Sequence, residues 1–400
     1  DLQGWTPFFP VPDSTTPIYP TTGGFEAVSF TNGANIIISY AGTYPLSLGD
    51  LAADLELANG IISNQLIQAA EYYLRVKNDP ANAGKTISFT GHSLGGGLAA
   101  LLGVFFGKEA VTFDQAPFAT AATQSLIGAQ GAATLKDCLI AVGYSEAALS
   151  ELTNFIQLQQ ADGGIPNSNL VSDFTVQGEF LSSIPPFSWY SKIGTSQPLL
   201  HGTPELDPID LHLQDLLATF ELNDQFRQVT FKLPDLERLM FDGNLYNNST
   251  ASGSESFITR LVRHQVGGVG DVPVGGDTML ERFTTDLEKI AQDGGLTMSD
   301  AMITKAMMAF AMQKYYGEQA GGIGVGETLF KNVTGGGQVD TTAIAADITT
   351  AKGYQQYFQN LLNIPRFFTD EESTLIKSML PQLRDWYVQA GASGMNATDA

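Results

Sequence analysis

Residues 91–95, Gly-His-Ser-Leu-Gly, set a serine in the middle of a Gly-x-Ser-x-Gly pattern. Before it runs Lys-Thr-Ile-Ser-Phe-Thr, 85–90, short and apolar enough for a buried strand; after it comes a Gly- and Ala-rich stretch, 94–106, that predicts a helix. A serine between strand and helix is held in a tight, strained turn, with its hydroxyl pushed out at the carboxyl edge of the sheet. Gly91 and Gly95 must be small because strand and helix close on each other there. The helix start adds free N–H groups and partial positive charge where an oxyanion would develop. Ser93 is therefore suited to nucleophilic acyl transfer, which also needs a base, an acid to orient that base, and oxyanion donors.

The chain offers four histidines as base: His92, His201, His212 and His264. His92 adjoins Ser93, and its side chain is expected to turn away from the hydroxyl and brace the turn. His264 lies in a helical pattern and reads as a surface residue. His201 falls on a loop. His212, in Asp-Leu-His-Leu-Gln-Asp, is flanked by apolar residues and is favoured, with His201 and His264 left as alternatives. The acid should lie between serine and histidine in the chain, just after a strand. Asp114 follows Ala-Val-Thr-Phe, and Glu179 follows Phe-Thr-Val-Gln-Gly. Asp173 precedes that second strand and reads as lying at the opposite edge, and Asp162 sits in a Gly-Pro loop. One oxyanion donor is expected from the N–H of Leu94. The other should come from Ala41-Gly42-Thr43, where the run Asn-Ile-Ile-Ile-Ser-Tyr ends, with Thr43 able to add its hydroxyl.

The elements that must hold these groups can be read coarsely. Residues 1–24, rich in Pro, Thr and Gly, predict an extended surface arm. Two apolar runs around Asn32-Gly33 predict a β-hairpin. Residues 49–76 have helical spacing, and the succession of strand, helix and strand over 85–113 implies a right-handed parallel crossover. Residues 118–161 read as a long helical insert, the segment around 173–186 returns to strand, and 210–220 is a short helical segment. Beyond about residue 220 the pattern is helix after helix, with two Met-rich stretches read as core filling. The expected organisation is an α/β domain over 1–235 and a helical region over 236–400.

Composition narrows the partners. The 400 residues carry a net charge of −22, which repels phosphate backbones and argues against nucleic acid. Hydrophobic residues make up 43%, enough for a large folded core, yet no apolar run is long enough to predict a transmembrane segment. Cys138 is the single cysteine, so no intrachain disulfide forms, and it reads as a structural residue on a helix face. There is no His-Glu-x-x-His, and the Gly- and Asp-rich run 267–277 is out of register with calcium repeats and reads as a loop. The chemistry so far calls for no metal and no organic cofactor. The chain begins at Asp1 without a leader pattern, as expected of a processed protein or a fragment.

Taken together, the runs 36–43 (IIISYAGT), 48–55 (LGDLAADL), 87–103 (ISFTGHSLGGGLAALLG), 110–118 (AVTFDQAPF) and 174–186 (FTVQGEFLSSIPP) resemble the class 3 lipase family. The resemblance spans about 25 to 220 and implies an α/β-hydrolase fold with a Ser–acid–His triad. It gives Ser93 the nucleophile's place and Thr43 the oxyanion donor's. The family's oxyanion strand ends in Arg-Gly-Ser/Thr followed by a Trp-x-x-Asp-Leu helix; here Ala41 stands for the arginine, the tryptophan is absent, and Asp54-Leu55 is present. Its acid is an aspartate shortly before a Pro-rich turn, a place held by Glu179, seven residues before Pro186. Its histidine comes last, where His212 fits.

The implied activity is hydrolysis of an acylglycerol or other fatty ester by a secreted enzyme, as in the long secreted bacterial lipases. Phospholipase A1 or another acyl hydrolase is the alternative, and a catalytically silent binding module is a further one. The segment 44–60 occupies the position of the family's lid, and the insert 118–161 is a second cover candidate.

Overall fold

The computed structural model describes residues 4–10, 25–42, 64–123, 131–202 and 208–232, with 280, 281 and 284. Seven strands form one sheet in chain order: β1 (Thr6–Phe8), β2 (Ala27–Thr31), β3 (Asn35–Tyr40), β4 (Thr86–His92), β5 (Ala110–Phe113), β6 (Val171–Val176) and β7 (Thr195–Leu199). β1, β2 and β3 pair antiparallel, and β3 to β7 pair parallel. The β2–β3 hairpin turns at Asn32-Gly33, where Gly33 takes φ 95° and the Asn32 side chain accepts from the Asn35 N–H at 2.9 Å. The N-terminal arm is less free than its composition predicts. Thr6, Pro7 and Phe8 pair with Thr31, Phe30 and Ser29, so part of the arm becomes an edge strand.

Parallel pairing requires long crossovers, and helices supply them. α1 (Asn64–Asn78) leads from β3 to β4, and α2 (Leu94–Phe106) from β4 to β5. α3 (Ala119–Ala122), α4 (Gly131–Ala141) and α5 (Ser150–Asp162) lie between β5 and β6, and α6 (Phe180–Ser183) between β6 and β7. α7 (Pro208–Leu211), α8 (Gln214–Leu222) and α9 (Asp224–Thr230) follow. This mixed sheet with its helices is an α/β-hydrolase fold.

The core explains the alternation in the strands. Ile36, Ile38 and Tyr40 of β3, and Ile87 and Phe89 of β4, are buried in one cluster with α1 and α2. Tyr73 of α1 meets Phe89 edge-on at 5.2 Å and Phe106 of α2 at 4.7 Å, and Tyr40 lies 6.0 Å from Phe89. Burial of each such ring contributes about 2 kcal/mol. Every residue of α2 is buried, which explains why its sequence is apolar all round instead of striped. The Tyr73 hydroxyl donates to Glu151 at 2.9 Å, and Lys77 and Lys108 pair with the same carboxylate at 2.7 and 3.1 Å, tying α1 to α5.

The chain divides into two compact units, Asp1–Leu200 with Pro208–Leu217, and His201–Asp207 with Ala218–Ala400. Within the second, His201 stacks on Phe220 at 6.0 Å, and the Asn223 side chain caps α9 by accepting from the Phe226 N–H at 2.9 Å. Thr43, the cover candidate 44–60, His264, the loop 267–277 and the region 236–400 lie outside the described residues.

Candidate active site

Ser93 sits between β4 and α2 with φ 56° and ψ −124°, a strained conformation for a residue with a side chain. Its surroundings enforce that strain. The Ser93 N–H donates to Phe113 O at 3.0 Å, and its carbonyl accepts from the Gly97 and Ala116 N–H groups at 3.0 Å each. The flanking glycines are steric necessities. A Cβ on Gly91 would lie 2.3 Å from the Gly95 carbonyl, and one on Gly95 would lie 2.1 Å from the Tyr40 carbonyl oxygen. Gly42 comes just as close from the other side, since a Cβ there would be 2.8 Å from His92 O and 3.4 Å from Ser93 Cβ. The strand end that leads to Thr43 therefore passes directly beside Ser93. Leu94 is the first residue of α2, where an N–H has no partner within the helix.

Glu179 follows β6 after the turn Gln177-Gly178 and caps α6 through its side chain, accepting from the Leu181 N–H at 2.7 Å. The Ser182 hydroxyl donates to its other oxygen, and Lys192 Nζ lies 3.4 Å away. His212 follows α7, its ring edge-on to Phe180 at 6.5 Å. His212 Nδ1 lies 2.8 Å from Glu179 Oε2, and Nε2 lies 2.9 Å from Ser93 Oγ. Glu179 is fully buried, and burial alone raises a carboxyl pKa. The hydrogen bond to His212, the Lys192 charge and the Ser182 hydroxyl outweigh that and bring it down to about 2. An ionised Glu179 accepts from Nδ1–H, which leaves the Nε2 lone pair to accept from the serine hydroxyl.

The other acids make different contacts. Asp173 is the third residue of β6 and not ahead of it. Its carboxylate accepts from Thr112 and the Gln115 N–H at 3.1 Å each and from Thr175 at 2.5 Å, and Lys192 lies 3.3 Å away. Asp114 follows β5 with φ 42°, and one of its oxygens accepts from the Val176 N–H at 2.9 Å. Burial pushes its carboxyl up; the facing His92 opposes this, and the Glu179 charge adds to the rise. Asp162 ends α5. His92 lies beside the site, while the ring that meets the Ser93 hydroxyl is that of His212. The His92 ring lies 4.9 Å from that of His212, and its Nε2 is 3.8 Å from Asp114 Oδ2.

Lys192 has no motif around it and was not among the candidates. Its ammonium group touches Thr175 at 3.0 Å as well as Asp173 and Glu179. Burial lowers its pKa, and the nearby carboxylates, Glu179 foremost, reverse this and hold it raised. A lysine in a chain with 20 basic residues carries no local signal of this role.

Comparison with known proteins finds similarity to phospholipases. A family model described as a Tle-like phospholipase domain matches residues 18–206. Over 123 residues the chain is 32% identical to the extracellular phospholipase A1 of Serratia liquefaciens, covering 30% of this chain and 36% of that protein. The similarity is to phospholipases. It bears out a resemblance to lipid ester hydrolases in general, while the names matched are phospholipases and not class 3 lipases. The chain spans little more than a third of the length of that curated relative. No described helix is long and apolar enough to cross a membrane.

Proposed function

We propose that this chain is a serine hydrolase of fatty-acyl esters in lipids. One observation carries the reading: Ser93, His212 and Glu179 form an unbroken hydrogen-bonded line, 2.9 and 2.8 Å, at the carboxyl edge of parallel strands. Ser93 attacks the ester carbonyl while His212 Nε2 takes its proton. Glu179 holds the imidazole in the required tautomer and stabilises its charged form. The Leu94 N–H and Thr43 receive the oxyanion, each donor worth about 3 kcal/mol in such sites. The proton on His212 then passes to the leaving alcohol, and water cleaves the acyl-serine. The protein's own groups complete this cycle.

The substrate is a phospholipid or an acylglycerol. The matched relative's name favours release of an acyl chain from a phospholipid, the A1 type, and its extracellular description favours secretion. Two measurements test the reading. With a p-nitrophenyl ester, Ser93→Ala and His212→Ala each lower turnover by about 10⁴-fold or more, and Glu179→Gln by about 10⁴-fold, because it presents the wrong hydrogen-bonding partner to Nδ1. Retained turnover in His212→Ala would remove the proposed base. Release of fatty acid from a phosphatidylcholine vesicle but not from a triacylglycerol emulsion assigns the phospholipid; the reverse assigns the acylglycerol.

A further inference from the structure

Beside the Ser93–His212–Glu179 line lies a second cluster that the hydrolytic cycle does not use. Asp114 Oδ2 and His92 Nε2 are both buried and face each other at 3.8 Å, and neither has a hydrogen-bond partner among the described residues. Such atoms are costly to leave unpaired. Asp114 is 0% exposed, so its carboxylate is aimed inward at the histidine and not at solvent. With a ring nitrogen of His212, the three ligand atoms lie within 4.8 Å of one another. The surroundings are also electronegative: Asp114, Asp173 and Glu179 are all buried, and the cation among them is Lys192.

We propose that His92, Asp114 and His212 form an inhibitory site for a borderline divalent cation, of which Zn²⁺ is the type. Two imidazoles and one carboxylate are a zinc-type ligand set, with water completing the tetrahedron. Bond lengths near 2.0–2.1 Å put the ligand atoms of a tetrahedral zinc about 3.4 Å apart. The 3.8 Å between His92 Nε2 and Asp114 Oδ2 closes to that with a shift of a few tenths of an ångström. His212 must move further, and both of its nitrogens are already engaged, Nε2 with Ser93 and Nδ1 with Glu179. Binding the ion therefore breaks one of the bonds that the hydrolytic cycle needs. Metal binding and turnover become mutually exclusive states of one histidine. The ligand set rests on the placement of His212 and not on the identity of the ester.

The test uses the full chain freed of metal with EDTA. Co²⁺ serves as a spectroscopic probe and Zn²⁺ as the inhibitor. The expected result is a saturable visible absorption band from bound Co²⁺, displaced by Zn²⁺, together with loss of p-nitrophenyl ester hydrolysis that EDTA restores. His92→Gln and Asp114→Asn each weaken Co²⁺ binding by roughly tenfold or more. They raise the Zn²⁺ concentration for half-inhibition in parallel, each variant being read against its own metal-free rate. Ser93→Ala, inactive under the proposed function, keeps Co²⁺ binding. A wild-type chain with no saturable Co²⁺ band overturns the site, and so does undiminished Co²⁺ binding in both His92→Gln and Asp114→Asn. A chain that binds Co²⁺ through these residues but hydrolyses no ester upholds the metal site and overturns the hydrolase reading.

Discussion

At the scale of single residues, Lys192 shows how the acid of the proposed triad is kept ionised in a buried place. Its ammonium lies 3.4 Å from Glu179 and 3.3 Å from Asp173. Glu179 is held down to about 2 from an ordinary 4.5, so its ionisation favours the folded state above pH 4.5, and that contribution fades as pH falls toward 2. Lys192→Met removes one of the causes and leaves two carboxylates sharing buried space. The variant should lose about 3 kcal/mol at neutral pH. The gap should narrow on acidification through the window from 4.5 to 2, where the wild type gives up the same contribution. Melting temperatures of both proteins across that range check it; a gap that stays constant with pH speaks against the role. None of this was legible in the sequence. Ser93 could be singled out because a strained turn demands glycines at fixed offsets, which leave a local pattern. Lys192 acts through space on β6 and on the turn that follows it, so nothing next to it in the chain marks it. The neighbours of His92 are hidden from the sequence for a related reason. Adjacency to Ser93 says where its backbone lies, but its neighbours, Asp114 and His212, come from distant parts of the chain.

At the scale of elements, the decisive contact is between α2 and the ends of β3 and β4. Gly95 presses against the Tyr40 carbonyl so closely that a methyl group would sit 2.1 Å from the oxygen, and neither is a flexible side-chain end that can move aside. Gly95→Ala should therefore push α2 off the sheet, costing about 3 kcal/mol, and should lower ester turnover as well by tilting the turn that carries Ser93. Urea denaturation with a parallel esterase assay reads both effects; stability and turnover like the wild type's would mean the contact is looser than described. The elements themselves were easier to read than their partners. The hairpin at Asn32-Gly33, the strand before Ser93 and the helix after it follow local rules of turn chemistry and periodicity. The pairing of Thr6–Phe8 with β2 was missed because Pro and Thr in an edge strand look like loop.

For the molecule as a whole, a net charge of −22 sets a general condition on stability. Like charges repel most in the compact state, and salt screens them, the Debye length falling from about 30 Å at 0.01 M to about 8 Å at 0.15 M. The melting temperature should rise by roughly a few degrees across that change. A flat or falling response in calorimetry would show that local ion pairs such as Lys77–Glu151, which salt weakens, outweigh the global repulsion.

The division of the chain carries one more implication. His212 belongs to the first unit, yet the stretches on either side of it, His201–Asp207 and Ala218–Ala400, belong to the second. A ribosome delivers the chain from its N-terminus, and domains fold as they emerge. The proposed nucleophile and acid are made by residue 179, but the proposed base follows 33 residues later. Every nascent chain thus passes through a stage in which the sheet is complete and the serine has no base, and the acyl chemistry proposed for it cannot start until that late segment emerges and docks. On that proposal, the order of synthesis itself keeps an unfinished chain inert.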